Sequence, residues 1–337
     1  MRGVRIAVLL WSTLFVCGGS GAQEGASELA DARALLQQNK NVEAIERLKV
    51  LAARYPEMSG VSYELGVAYY HQAEYLEAAK YLQEAWRRDP EDRDAAQLLG
   101  LSHYASGKPA EAIPPLEKVR LWHRDEGLDA VYILGLCYIL TRNYAQALQT
   151  FAELYGLPPD SAEAHLVIAR MLLRQGFDAV AEDEARKALS ISPQLVLAHF
   201  TLGEFAAYQA DYATAAKEFA SEIALNGGYA PAYTSLAEAY WYLGRYAEAE
   251  KVGKRSLWLD STNAKSYVLM GKVLLQKGQL PAAERNLQQA VALDGGNYNA
   301  HYLLGRLYRQ EGKADLAERE MKVALRIQQQ QGPDRHK

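Results

Sequence analysis

The chain has little cysteine: two residues in 337, Cys17 and Cys137. If a leader carrying Cys17 is removed, Cys137 stands alone and no intramolecular disulfide can hold the fold. Charge of one sign is also scarce. The net charge is −4, acids and bases are interspersed, and no like-charge run exceeds a few residues, so nothing calls for nucleic acid or an anionic lipid surface. Sequences that carry chemistry are missing as well. There is no Gly-x-Ser-x-Gly, no phosphate-cradling glycine loop followed by lysine, and no G-x-G-x-x-G after a strand. None of the seven histidines has a second histidine four residues away, and no cysteine or carboxylate sits at ligand spacing from one. The expectation is a non-enzyme without metal or cofactor. The acidic run Glu182, Asp183 and Glu184 is expected on a solvated outer helix face.

At the start an apolar stretch from Ile6 to Val16 follows Arg2 and Arg5. That stretch is too short for a bilayer, which needs roughly 20 residues. With Ser20 and Ala22 behind it, residues 1–22 read as a secretory signal cleaved after Ala22. Export to a bacterial periplasm or cell envelope follows, with no membrane span afterwards. The competing readings are secretion, an uncleaved anchor, and a lipoprotein acylated at Cys17, against which Val16 stands where a small residue is wanted.

What the chain does have is a ladder of alanines. Ala44, Ala78, Ala112, Ala147, Ala181, Ala215, Ala249, Ala283 and Ala317 are 34 residues apart, with one step of 35. Twelve residues before each lies a second small residue: Ala32, Gly66, Gly100, Gly135, Ala169, Gly203, Ala237, Gly271 and Gly305. Around this column apolar residues recur at helical intervals, and Gly107, Gly176, Gly244, Gly278 and Gly312 interrupt the pattern seven residues later. In the second helix apolar groups four and seven residues after the alanine share one face, as in Ala78, Leu82 and Ala85. Pro56, Pro90, Pro159, Pro193, Gly227 and Gly295 then break the second helix. Each repeat therefore reads as helix, turn, helix, and the two small columns let the helices touch. A kink is expected at Pro114-Pro115, an irregular loop over 122–127, and a frayed tail from Gln328.

In repeat length and in Leu65-Gly66-Val67-Ala68-Tyr69, Tyr75, Ala78, Leu82, Ala85 and Pro90, the chain resembles the tetratricopeptide repeat family. The resemblance spans nine copies: 25–58, 59–92, 93–127, 128–161, 162–195, 196–229, 230–263, 264–297 and 298–331, followed by a polar tail over 332–337. It implies an all-α fold, an α-solenoid of stacked antiparallel helix pairs wound into a right-handed superhelix. The copies depart from the pattern where the first lacks the leucine, having Asp31, and the seventh has Gly253 and Ser256 where bulk is usual. The family's large aromatic near the start of the first helix is replaced, among others, by His165, His199 and His301, expected to be flat rings wedged between helices.

The resemblance also implies that first-helix positions 2, 5, 9 and 12 line a concave groove holding a partner's peptide or helix. Carried over, these positions give Tyr63, Val67 and Tyr70, then Leu101 and Tyr104, then Tyr132, Leu136 and Ile139, an apolar aromatic trough without evident packing duties inside its own repeats. Further on they give Arg170, Glu204, Glu238, Trp241, Lys272, Arg306 and Arg309, where the groove turns charged. The ninth positions carry no asparagine, so the terminal-carboxylate clamp of some family members does not carry over. The expected function is an exported, non-catalytic interaction scaffold. The alternatives are a polysaccharide-handling or secretion adaptor that stacks tyrosines and Trp241 on sugars, and a recognition subunit of an enzyme complex.

Overall fold

The computed structural model describes residues 19–122 and 128–330. The signal reading falls mostly outside them, as do positions 123–127 and the tail beyond 330. Among the described residues there are eighteen α-helices and no strand. They come in pairs: α1 Gly19–Gln37 with α2 Asn41–Arg54, α3 Val61–His71 with α4 Tyr75–Arg88, α5 Arg93–Ala105 with α6 Pro109–Trp122, and α7 Leu128–Leu140 with α8 Tyr144–Leu154. Next are α9 Ala162–Arg174 with α10 Asp178–Ile191, α11 Ala198–Tyr208 with α12 Tyr212–Leu225, and α13 Ala230–Tyr242 with α14 Tyr246–Leu259. The last are α15 Ala264–Gln276 with α16 Leu280–Leu293, and α17 Tyr298–Gln310 with α18 Ala314–Gln330. The helix pairs divide into two compact units after Gly156.

Five helices start where a side chain takes an orphan N–H. Asp92, Ser161, Asp211, Asn263 and Asn297 each accept a hydrogen bond from the backbone three residues on. Within pairs, the turn needs a left-handed residue. Glycine provides it at Gly107, Gly176, Gly244, Gly278 and Gly312, while Asn39, Ala73, Arg142 and Ala210 adopt it without glycine's freedom. The Pro114-Pro115 pair does not end α6. Ala112, Pro115, Leu116 and Val119 are buried on one face and hold that helix through both rings.

All nine ladder alanines are buried. The nearest neighbour of the glycine column is the large residue four positions after the alanines. A Cβ on Gly66 would stand 2.4 Å from Leu82 Cγ, and one on Gly203 would stand 2.6 Å from Phe219 Cδ1. The same relation joins Gly100 to Leu116, Gly135 to Phe151 and Gly271 to Leu287. Each of these pairs is closed by a bulky side chain laid across a glycine of the facing helix. Where Gly253 and Ser256 leave space, Met270 from the next pair enters beside Gly253. The hydroxyls of Thr234, Ser256 and Ser266 form a buried network there at 2.7, 2.9 and 3.2 Å.

The stacking order also fixes which helices face inward. In the first unit α3 packs on α5 and α5 on α7; in the second, α9, α11, α13, α15 and α17 pack in succession. In the first unit α2, α4 and α6, and in the second α10, α12, α14 and α16, each pack on their own partner and on the next first helix, and among the described residues no second helix packs comparably on the next second helix. The first helices therefore lie on the inner side of each stack.

Candidate partner-binding faces

In the first unit the inner face is built on α3, α5 and α7. Tyr63, Val67, Tyr70, Leu101, Tyr104 and Tyr132 are half-buried there. Leu136 is 5% exposed and Ile139 is fully buried, so these two expected groove residues belong to the core. The others also carry packing duties that the sequence did not reveal. Tyr63, Val67 and Tyr70 lie against the main core cluster, the Tyr70 ring meets Tyr75 edge-on at 5.5 Å, and Tyr132 meets Phe151 at 5.8 Å. The expected trough is thus narrower, with its aromatics partly committed. Burial, reinforced by Asp94, Glu64 and Asp92, pushes the Tyr63 phenol up to about 12. Burial likewise raises Tyr70 and Tyr104.

In the second unit the inner face is charged and carries two concavities. One, of about 290 Å³, is bounded by Glu204 and Tyr208 of α11, Tyr212 of α12, Glu238 and Tyr242 of α13, and Lys265 of α15. Tyr212 and Tyr242 stack face to face at 4.1 Å, and Lys265 pairs with Glu238 at 3.2 Å. Burial raises the Glu204 carboxyl above the usual carboxylate range, opposed by the positive charge of Arg170. The other concavity, a cleft of about 610 Å³, is lined entirely by α13, α15 and α17 through Trp241, Lys272, Gln276, Asn299, Tyr302, Arg306 and Arg309, with leucines beneath. Lys272 Nζ sits 5.4 Å over the Trp241 ring and the Arg306 guanidinium 5.9 Å over Tyr302. The structure thus gathers Trp241, Lys272 and Arg306 at one place and sets Glu204 and Glu238 at another. The tyrosine stack, Lys265, Gln276 and Asn299 were not foreseen, although Tyr242 follows Trp241 directly and Asn299 lies one helical turn before Tyr302 on the face the carry-over had marked.

The remaining titratable groups serve the helix pairs. His165 Nδ1 lies 2.6 Å from Glu184, His199 Nδ1 2.7 Å from Glu218, and His301 Nδ1 2.6 Å from Glu320. Each joins a first helix to its own second helix across 19 residues. The wedged ring was expected, but its carboxylate partner was not. Glu184 is accordingly buried, 7% exposed, and not on a solvated face as its acidic neighbours suggested, because the second helix turns it toward His165. Burial pushes the Cys137 thiol up to about 12, leaving it protonated and unreactive. Among the described residues no three His, Cys, Asp or Glu side chains converge as a metal site, and no helix is long and apolar enough to cross a membrane.

The tetratricopeptide repeat model matches residues 29–93, 72–126, 98–161, 138–196 and 268–333, and a second model of that repeat matches 230–263. No curated protein matches the chain. Among solved structures, MamA from Desulfovibrio magneticus RS-1 is 19% identical with a TM-score of 0.47, over 50% of this chain and 96% of its own. PilF of Pseudomonas aeruginosa is 23% identical with a TM-score of 0.48, over 58% and 90%. YrrB, described as a repeat protein with an unusual peptide-binding site, is 19% identical with a TM-score of 0.45, over 57% and 95%.

Proposed function

The chain belongs to the tetratricopeptide repeat family, and we propose that it is an exported, non-catalytic scaffold that holds a segment of a partner protein against its first-helix faces. The observation that carries this reading is the pair of concavities in the second unit, both opening on the inner helices and lined by aromatic and charged groups. Recessed surfaces with a few convergent polar groups are where ligands bind. Half-buried Val67, Leu101 and Tyr104 offer a second, apolar inner face in the first unit. Export rests on the leader-like residues 1–22.

The test is differential capture from the native host. The full chain and a variant carrying Leu101→Lys and Glu238→Lys, each checked for an unchanged helical spectrum, are used side by side. The reading predicts that captured partners are lost with the variant. Equal capture by both would move the binding surface off the first helices.

A further inference from the structure

We infer that the cleft between α13, α15 and α17 recognises an acidic stretch inside a partner polypeptide. This deepens the scaffold reading and rests on it. Three cations face the cleft, Lys272, Arg306 and Arg309, and among the described residues no carboxylate lines it. None of the three makes an ion pair with a carboxylate among the described residues, although Lys265, Lys277 and Lys313 on neighbouring surfaces do. Unneutralised cations gathered in a recess favour an anionic occupant through charge complementarity.

The kind of anion follows from what else the cleft offers. Gln276 and Asn299 line it, and neither side-chain amide is hydrogen-bonded among the described residues. A side-chain amide both donates and accepts, which matches the alternating groups of an extended peptide backbone. Stacking surface, by contrast, is already used. The Trp241 ring carries Lys272, and Tyr302 is covered by Arg306 and stacked on Tyr298 at 5.8 Å. A glycan or a single-stranded nucleic acid binds through open aromatic faces, and here those faces hold the cations in place. In an extended segment, alternate side chains project to one side. Carboxylates at alternate positions would meet the cations while the backbone meets the amides. Glu204 and Glu238 on α11 and α13 would repel the same stretch, which confines it to the end of the unit containing α15 and α17.

The probe is a fluorescein-labelled short peptide with glutamate at alternate positions and an amidated C-terminus, so that no terminal carboxylate contributes. It is titrated into the full chain by fluorescence anisotropy. The expected result is binding that weakens roughly tenfold or more with Lys272→Glu plus Arg306→Glu, weakens as salt rises, and is lost when the glutamates become glutamines. Arg285→Glu, an exposed charge reversal on the second helix α16, should leave the affinity unchanged. Thermal melts show whether each variant is folded, and Arg309→Gln gives a milder second test in the same direction. Absence of binding, equal weakening by Arg285→Glu, or displacement of the peptide by oligogalacturonate at lower concentration would overturn the assignment. Should the peptide fail while native partners are still lost with the Leu101→Lys and Glu238→Lys variant, the cleft assignment falls and the scaffold reading stands.

Discussion

The carboxylate of Glu222, fully buried, caps the start of the neighbouring helix: the Leu197 N–H donates to both its oxygens at 2.9 Å and the Phe200 N–H to one at 3.3 Å. Leu197 itself has a φ of +69°, an unfavourable conformation for a leucine. A residue of α12 thus satisfies the orphan donors of α11 and holds the strained entry in place.

Removing that acceptor leaves buried N–H groups unpaired. Glu222→Ala should destabilise the second unit by about 2 kcal/mol. Glu222→Gln, which keeps one accepting oxygen, should cost less. Urea unfolding followed by circular dichroism checks the order; equal stability of all three proteins would show that the cap is dispensable.

The glycine column makes a sharper packing prediction. A methyl on Gly66 would stand 2.4 Å from Leu82 Cγ, so Gly66→Ala should cost about 1–3 kcal/mol by forcing α3 and α4 apart. Ala215→Leu, at a fully buried ladder position, should cost a similar ~1–3 kcal/mol. Gly107 has open space around it and a φ of +77°, so Gly107→Ala should cost only about 1 kcal/mol of backbone strain. Melting temperatures of the three variants rank these costs.

Tyr63 links burial to pH. Its phenol ionises near 12 in the folded chain against an ordinary 10.0. Below the ordinary value both states are protonated and the full stability is present. Between the two values the unfolded chain loses its proton while the folded chain keeps it, so stability falls as pH rises through that window. Tyr63→Phe should flatten the loss, measured as the denaturation midpoint across the same pH range. A variant with the parent's pH slope would contradict the burial of this ring.

Export is checked by N-terminal sequencing of protein recovered from its host, with Gln23 expected as the first residue. Gly25, two residues further on, is buried and packs under Tyr55 and Met58; cleavage after Ala22 leaves that contact intact. An acylated Cys17 would replace this reading with a lipoprotein.

The helix pairs were legible because each depends on local spacing: small residues twelve apart, a turn, and a breaker. The same reasoning failed where a non-glycine takes the left-handed turn. Ala73, Arg142 and Ala210 are held there by the helices on either side and leave no compositional trace. The histidine pairs had a signal that went unread. A glutamate follows 19 residues after His165, His199 and His301, whereas Val252 and Asn286 stand at that distance from Tyr233 and Tyr267. At the candidate site, Trp241, Lys272 and Arg306 come from the family's groove positions, and the structure brings these three around one recess. Position within the first helix could not tell that Leu136 and Ile139 are buried, because that depends on how closely the neighbouring first helices approach.

The most direct test of the central claim, that first helices carry the partner, is photo-crosslinking in the native host. A photoreactive residue replaces Val67, Leu101 or Glu238 on first helices, or exposed Val50 or Trp258 on second helices. The account predicts partner adducts from the first-helix sites and none from Val50 or Trp258. Adducts confined to the second-helix sites would contradict it.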